Sequence, residues 1–245
     1  MDTPIIEFKN VVKRFGEKTV LDGVNFTLNE GEITTIIGKS GTGKSVMLKH
    51  LVGLMKPDSG ALFFKGQNIA GLKRGQRRSY MGRMSYMFQG NALFDSMTVF
   101  ENVAFPLEQT TRLSKGEIKR RVMEKLERTD LVEMAHRFPS ELSGGMQKRV
   151  AFSRALITDP AIVLFDEPTT GLDPIMADVI NDLICQSVKE LGATALSITH
   201  DMASARKIAD KIAMIYEGEI IWCGDVKELD NSGNPYVEQF INGRA

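Results

Sequence analysis

Gly38-Lys39-Ser40-Gly41-Thr42-Gly43-Lys44-Ser45 decides how the rest of the chain is read. Its glycines carry no Cβ, so the backbone can wrap tightly with successive N–H groups turned inward. A helix that begins here adds the partial positive charge of its N-terminus. Such a loop holds an anion, and the pattern G-x-x-x-x-G-K-[ST] is the P-loop that cradles nucleotide phosphates. Lys44 is then placed to reach the β- and γ-phosphates, and the Ser45 hydroxyl to ligate Mg²⁺. The flanks agree with this reading. Glu32 to Ile37 reads as a strand, and Val46 to Val52 as a helix closed by Gly53. The bland alternative, a glycine-rich surface loop, does not explain a strand before it and a helix behind it.

The composition bounds what surrounds this loop. A chain of 245 residues suits one large domain, or a core with a subdomain, and a second full domain does not fit. The 31 basic and 31 acidic residues cancel, so no global field recruits nucleic acid or an anionic membrane. Cys185 and Cys223 fall in a predicted helix and a predicted strand, away from metal-ligand spacing, and read as reduced core thiols in a cytosolic protein. No apolar run approaches the roughly 20 residues that cross a bilayer, and Met1 to Asn10 lacks the apolar core of a signal peptide. Any membrane role therefore goes through another chain.

Taken in order, Ile5 to Phe8 and Val24 to Leu28 alternate like antiparallel sheet. Between them Phe15 sits in a basic turn, Val12 to Gly16. By pattern it reads as core, while its place ahead of the P-loop would let it stack on a base. Pro57 to Gly60 is a turn and Ala61 to Gly66 a strand; Lys73 to Arg83 reads as a solvated connector. Met84 to Phe88 is a predicted buried strand ending at Gln89, a position where open α/β sheets place ligand contacts.

Gly90 to Leu107 holds Leu93, Phe94, Met97 and Phe100 with no clean period. It is either the lining of a subdomain or a groove for a partner. Ser114 to Glu117 reads as a capping box, and Ile118, Val122 and Leu126 follow at helical spacing. His136, with no candidate ligand beside it, reads as a surface histidine.

Ser143-Gly144-Gly145 precedes a predicted helix, Gln147 to Thr158. It is an ordinary cap or a second anion cradle, and the P-loop already in the chain favours an anion gripped from two sides. Ala161 to Phe165 is an apolar run of the kind that forms a central parallel strand, and it ends in Asp166-Glu167. Two carboxylates there need a cation. Mg²⁺ supplies it, with Asp166 holding the ion and Glu167 placed to orient or deprotonate a water. Asp173-Pro174 opens a helix whose apolar stripe is Val179, Ile180, Leu183, Ile184 and Val188; Asp173 is a cap or also a signalling residue. The strand Thr194 to Thr199 ends at His200. Gly38, Gln89, Asp166 and His200 then all stand at strand ends, and a parallel sheet would deliver them to one edge. Lys211 to Cys223 reads as a hairpin turning at Glu217-Gly218. Pro235 starts a last amphipathic turn whose Val237, Phe240 and Ile241 read as core.

In this order the motifs resemble those of the nucleotide-binding subunit of ATP-binding cassette (ABC) transporters. The resemblance covers the whole chain. It implies an adenine-stacking role for Phe15, Walker A for Gly38 to Ser45, the Q-loop for Gln89 and the signature for Leu142 to Met146. It further implies Walker B and the catalytic glutamate for Ile162 to Glu167, the D-loop for Gly171 to Asp173, and the switch histidine for His200. Met146 stands where many members have Gln, and Phe15 where Tyr is common; neither change removes the anion site or the aromatic face. The run Gln89 to Leu107 looks most like the phospholipid-trafficking branch, the Mla/Mce-type systems.

What the resemblance implies is an α/β fold: a P-loop, RecA-like core with a mostly parallel sheet, an N-terminal antiparallel β subdomain and an α-helical subdomain. Residues 1–245 form a single domain, with about 1–90 and 159–245 as core and 91–158 as the helical part. ATP and Mg²⁺ are the implied cofactors, with Ser45, Gln89 and Asp166 toward the metal and Lys44, Gln89, Glu167 and His200 as catalytic residues. The implied partners are a second copy, with ATP at the two-fold seam, and an integral membrane permease met through Leu93, Phe94, Met97 and Phe100. The place implied is the cytoplasmic face of the inner membrane, with no nucleic acid bound. Other readings are an ABC-type ATPase acting on ribosomes or nucleic acid, one serving a different cargo, and a P-loop kinase.

Overall fold

Alternation of apolar and polar residues makes a long N-terminal hairpin in the computed structural model, which describes residues 4–243: β1 (Pro4–Phe15) pairs antiparallel with β2 (Lys18–Asn29). The all-buried β3 (Ile33–Ile37) follows and feeds the glycine loop, which opens α1 (Lys44–Leu51). Next come β4 (Ser59–Phe64), β5 (Gln67–Asn68), α2 (Arg74–Met81) and β6 (Met84–Met87). Three helices succeed one another, α3 (Val99–Thr110), α4 (Lys115–Arg128) and α5 (Gly144–Leu156). The chain then alternates through β7 (Ile162–Asp166), α6 (Pro174–Leu191), β8 (Thr194–Ile198), α7 (Met202–Ile208) and β9 (Lys211–Tyr216). It closes with β10 (Glu219–Asp225) and α8 (Pro235–Ile241).

Two sheets result. The antiparallel one has the order β2-β1-β4-β5, the other β10-β9-β3-β8-β7-β6. In the second sheet β9, β3, β8, β7 and β6 run parallel, and only β10 is antiparallel. Continuous apolar strands require cover on both faces. One face of the parallel sheet, through Leu164, Leu196, Ile198 and Ile215, packs with Met47 and Leu51 of α1 against Ile6, Phe8, Val24 and Phe26 of the antiparallel sheet. The other face, through Val163 and Phe165, meets Phe152 of α5, Ile180, Ile184 and Val188 of α6, and Ile208 of α7. A separate cluster joins Val99, Val103 and Leu107 to Val122, Leu126 and Val150. Helix α5 contributes to both clusters, so its N-terminus is set jointly by the sheet and the helices.

Several expectations are corrected here. Lys73 to Arg83 is a helix, α2, held at its buried end by Tyr80, whose hydroxyl donates to the Leu51 carbonyl at 2.6 Å. Gly90 to Leu107 divides into a loop and α3, which starts at a reciprocal cap: Thr98 Oγ1 accepts from the Glu101 N–H while Glu101 Oε2 accepts from the Thr98 N–H at 2.7 Å. Ser114 caps α4, but Glu117 turns instead to Arg120 and Arg121, so only half of that box forms. Helix α5 begins at Gly144 rather than Gln147. Val179 is exposed and leaves the stripe of α6. Strand β6 lies at the sheet edge, half-buried rather than fully buried. Phe15 closes β1 at 46% exposure instead of sitting in a turn or the core, and Cys223 is exposed. The reading of Met1 to Asn10 rests in part on residues 1–3, outside the described residues. Among those described, no helix is long and apolar enough to cross a membrane.

The loop after Gln89 is locked from within. Asn102 is fully buried; its Oδ1 accepts from the Phe94 N–H at 2.9 Å, and its Nδ2 lies 3.1, 3.0 and 3.0 Å from the carbonyls of Phe94, Met97 and Thr98. Arg154 of α5 donates to the carbonyls of Asn91 and Ala92, both at positive φ. Replacing Asn102 by Leu strands these groups, and urea unfolding should show a loss of about 3 kcal/mol; a change below about 1 kcal/mol would refute the locking role.

Candidate active site

The parallel order β3-β8-β7-β6 places the C-terminal ends of four neighbouring strands side by side. The glycine loop leaves β3, His200 follows β8, Asp166 ends β7 and Gln89 follows β6. The convergence expected of Gly38, Gln89, Asp166 and His200 is thus a consequence of strand order. A pocket of about 180 Å³ is lined by Val20, Ser40, Gly41, Gly43, Lys44, Ser45, Val46, Gln89 and Glu167.

The loop's backbone demands glycine where it passes close to other chain. Gly38 lies at φ 151° and a Cβ there would stand 2.5 Å from the Ile215 carbonyl oxygen; Gly43 lies at φ 108° and a Cβ would meet Leu21 at 2.8 Å. Lys44 is 6% exposed and donates to the carbonyls of Gly38 at 2.6 Å and Lys39 at 3.0 Å. Burial holds its ammonium below the ordinary lysine range, against the pull of Glu167 and Asp166. Ser45 Oγ donates to Asp166 Oδ1 at 3.3 Å.

Asp166 and Glu167 are 6% and 7% exposed. Asp166 Oδ2 accepts from the Tyr86 hydroxyl at 2.6 Å, and burial together with this bond keeps the phenol far above its ordinary range and neutral. Glu167 adopts φ 52°, a left-handed backbone that costs a non-glycine residue of order 1 kcal/mol or more. Its Oε2 gathers three donors, Thr170 at 2.9 Å, His200 Nδ1 at 2.9 Å and Thr199 at 3.3 Å. The other oxygen, Oε1, is thereby the one turned to water. His200 Nδ1 donates to Oε2 in the tautomer that carries its proton there. Lys148, buried on α5, donates to the carbonyls of Gln89 at 3.0 Å and Glu167 at 3.4 Å. It ties the backbone of Gln89 to the backbone of Glu167.

Sequence reading missed Tyr86, Lys148, Thr170 and Thr199. Lys148 lies four residues before Phe152, which packs on the parallel sheet, and this shared helix face was the available signal.

Ser143, Gly144 and Gly145 are not brought to the pocket. Ser143 caps α5, its Oγ accepting from the Met146 N–H at 3.3 Å, and Gly145 packs on Met176 of α6, which a Cβ would approach to 3.0 Å. The first N–H groups of α5 are those a helix leaves unpaired. Asp173 caps α6 through the N–H groups of Ile175 and Met176 at 3.1 and 3.0 Å. Phe15 ends the strand whose hairpin partner carries Val20 and Leu21 to the glycine loop; Lys13 Nζ stands 5.6 Å from its ring. Leu93 is half-buried between two clusters, Met97 and Phe100 are half-buried, and Phe94 is 40% exposed. His136 is exposed.

An anion cradle on a parallel sheet, with a carboxylate pair at the next strand but one, defines a P-loop nucleoside-triphosphatase. The family model described as ABC transporter matches residues 21–170, and the chain belongs to that family. It is 42% identical to protein TRIGALACTOSYLDIACYLGLYCEROL 3, chloroplastic, of Arabidopsis thaliana, over 98% of this chain and 74% of that protein. It is 37% identical to the intermembrane phospholipid transport system ATP-binding protein MlaF of Escherichia coli, over 98% and 90%. It is 38% identical to the ATP-binding protein mkl of Mycobacterium leprae, named for ribonucleotide transport, over 98% and 69%.

Among solved structures, a dimeric ATP-binding cassette in a post-hydrolysis state with ADP and phosphate superposes with a TM-score of 0.82 at 33% identity, covering 90% of this chain and 98% of that one. The cbiO1 subunit from Clostridium perfringens, part of an ABC transporter complex, gives 0.84 at 29%, covering 98% and 96%. The chain is therefore an ATP-binding cassette that hydrolyses ATP in the service of transport. Lys44→Ala should lower ATP turnover by about 10²-fold or more in a coupled phosphate-release assay; activity at the wild-type level would overturn the assignment of the cradle.

Proposed function

We propose that this chain is the ATP-hydrolysing subunit that powers a separate membrane permease in the transport of lipid between membranes. One observation carries the mechanism. The two anion cradles of the chain do not face each other: the pocket of Gly38 to Ser45 includes Gln89 and Glu167, while Ser143 to Gly145 lies beside α6. Two copies related by a two-fold axis resolve this, each ATP lying between Gly38 to Ser45 of one protomer and Ser143 to Gly145 of the other. The dimeric cassette to which the chain is similar supports that arrangement.

In this reading Phe15, exposed at its strand end, stacks on adenine. The N–H groups of Lys39 to Ser45 and the Lys44 ammonium hold the phosphates. Ser45, Asp166 and Gln89 offer oxygen ligands of the kind Mg²⁺ takes, and the ion when bound would neutralise phosphoryl charge. Glu167, held by its three donors, orients the attacking water through Oε1 and accepts its proton. His200 keeps Nε2 for a phosphoryl oxygen, to which it donates when the ring is protonated. Cleavage removes the γ-phosphate from the seam and loosens it, and Asp173 at the start of α6 lies where one site would sense the other.

The names of two relatives point to lipids, one to ribonucleotides. The cargo meets the permease rather than this subunit, and the lipid reading rests on MlaF and on the run Gln89 to Leu107. The motion passes through that run, whose Phe94 is presented outward and whose Leu93, Met97 and Phe100 support it. The chain then works on the cytoplasmic side of the membrane holding the permease.

Glu167→Gln should bind ATP, lose turnover by about 10²-fold or more, and elute as a dimer with ATP on a sizing column; near-normal hydrolysis would refute the base. Phe94→Glu gives up the ring contact with Phe105 at 4.8 Å and should lower the urea midpoint only modestly, with a cooperative transition kept, while abolishing co-purification of a membrane subunit from solubilised membranes. Retention of that subunit, with the lipids bound to it unaffected, would refute the docking role.

A further inference from the structure

The buried side of α6 carries one polar side chain among apolar ones. Asn181, 3% exposed, stands beside Ile180, Ile184 and Val188. Its Nδ2 donates to Ser204 Oγ of α7 at 2.9 Å, and its Oδ1 is buried with no hydrogen-bond partner among the described residues. A leucine would bury more apolar surface and leave no amide oxygen without a partner. The amide therefore costs stability where it stands, and such a cost is characteristic of functional surroundings.

Ser204, 1% exposed, has its hydroxyl fully engaged. One hydrogen goes to Asp201 Oδ2 at 2.6 Å, and the two lone pairs accept from Asn181 Nδ2 and from Thr169 Oγ1 at 3.1 Å. Those three partners belong to three segments. Thr169 lies on the loop leaving Glu167, Asn181 lies on the helix that Asp173 opens, and Asp201 directly follows His200. The Asp201 N–H bonds Thr199 Oγ1 at 3.0 Å, and that hydroxyl donates to Glu167 Oε2. His200 itself has a largely exposed side chain held by a bond to Glu167. Its backbone is thus placed by the residues on either side, and these end at Ser204.

We propose that Ser204 and Asn181 are positioning residues for ATP hydrolysis: a single hydroxyl clamps the carboxylate loop, the D-loop helix and the histidine loop in the register that Glu167 and His200 need. Neither lines the phosphate pocket, so the clamp acts on the rate of the chemical step and leaves ATP affinity alone. The inference rests on the reading of Glu167 and His200 as the hydrolytic pair.

The test is steady-state ATPase on the full chain, in the assembly in which it purifies, well below the thermal midpoint of every variant. Ser204→Ala and Asn181→Leu should each lower kcat about tenfold with KM for ATP within about twofold. The double variant removes both ends of the Asn181–Ser204 bond but still leaves Thr169 and Asp201 without the hydroxyl, so its thermal midpoint should recover only part of the loss seen in Ser204→Ala, while kcat stays low. Recovery of kcat together with the midpoint, or a wild-type kcat in Ser204→Ala, would overturn the proposal by making the network structural only. Glu167→Gln measured alongside separates the levels: normal turnover there removes the hydrolytic pair itself, whereas loss there with an unaffected Ser204→Ala removes only the clamp.

Discussion

Four buried charges at one edge of a parallel sheet govern this molecule. Asp166, Glu167, Lys44 and Lys148 are each less than 10% exposed, a placement that is costly unless every charge is answered. Each is answered differently. Lys44 is held by the carbonyls of its own loop, Lys148 by carbonyls of two other strands' ends, Asp166 by two hydroxyls, and Glu167 by two hydroxyls and an imidazole. Hydrogen bonding of this kind leaves both ammonium groups and both carboxylates near one another without closing them into direct ion pairs. The two positive and two negative charges cancel, and the N–H groups of the glycine loop at the start of α1 are what is left to meet an anion.

The geometry around Glu167 shows why the supporting residues matter as much as the carboxylate. Its left-handed backbone persists because neighbours over-determine it: the Glu167 N–H bonds the Ile198 carbonyl at 3.0 Å, the Thr170 N–H bonds the Glu167 carbonyl, and the side chain is gripped at Oε2. Held in this way, the side chain keeps its other oxygen in a fixed direction, the preorganisation that the proposed role of Glu167 requires. The same logic extends outward through Thr199 and Asp201 to Ser204. A catalytic group on a loop is only as well aimed as the last fixed atom behind it.

Much of the fold was legible because its strands follow simple patterns. The apolar runs ending at Ile37, Phe165 and Thr199 announced buried parallel strands, the hairpin at Glu217-Gly218 was visible in its turn, and Ser143 and Asp173 were readable as caps. The stretch after Gln89 was not legible. Its order comes from Asn102, which bonds carbonyls of the preceding loop, and from Arg154 far along the chain; only its helix cap, Thr98-Val99-Phe100-Glu101, stands in the sequence as a capping-box pattern. Phe15 was ambiguous for a related reason: exposure depends on which strand it ends and what lies beyond it.

Candidate chemistry that needs a particular residue type was legible in the sequence alone: the glycine loop with its lysine and serine, the paired carboxylates, and the histidine after a buried strand, because a motif of residue types at fixed spacing is a local property of the chain. Which groups meet was decided only by tertiary structure. Strand order β3-β8-β7-β6 brings the four strand ends together, and Ser143 to Gly145, with Gly145 packed on Met176 of α6, do not line the pocket there. Lys148 and Tyr86 enter the site through contacts between elements distant in the chain, and Ser204 joins three loops with one oxygen. Such contacts depend on direction and distance in space, which local pattern does not encode.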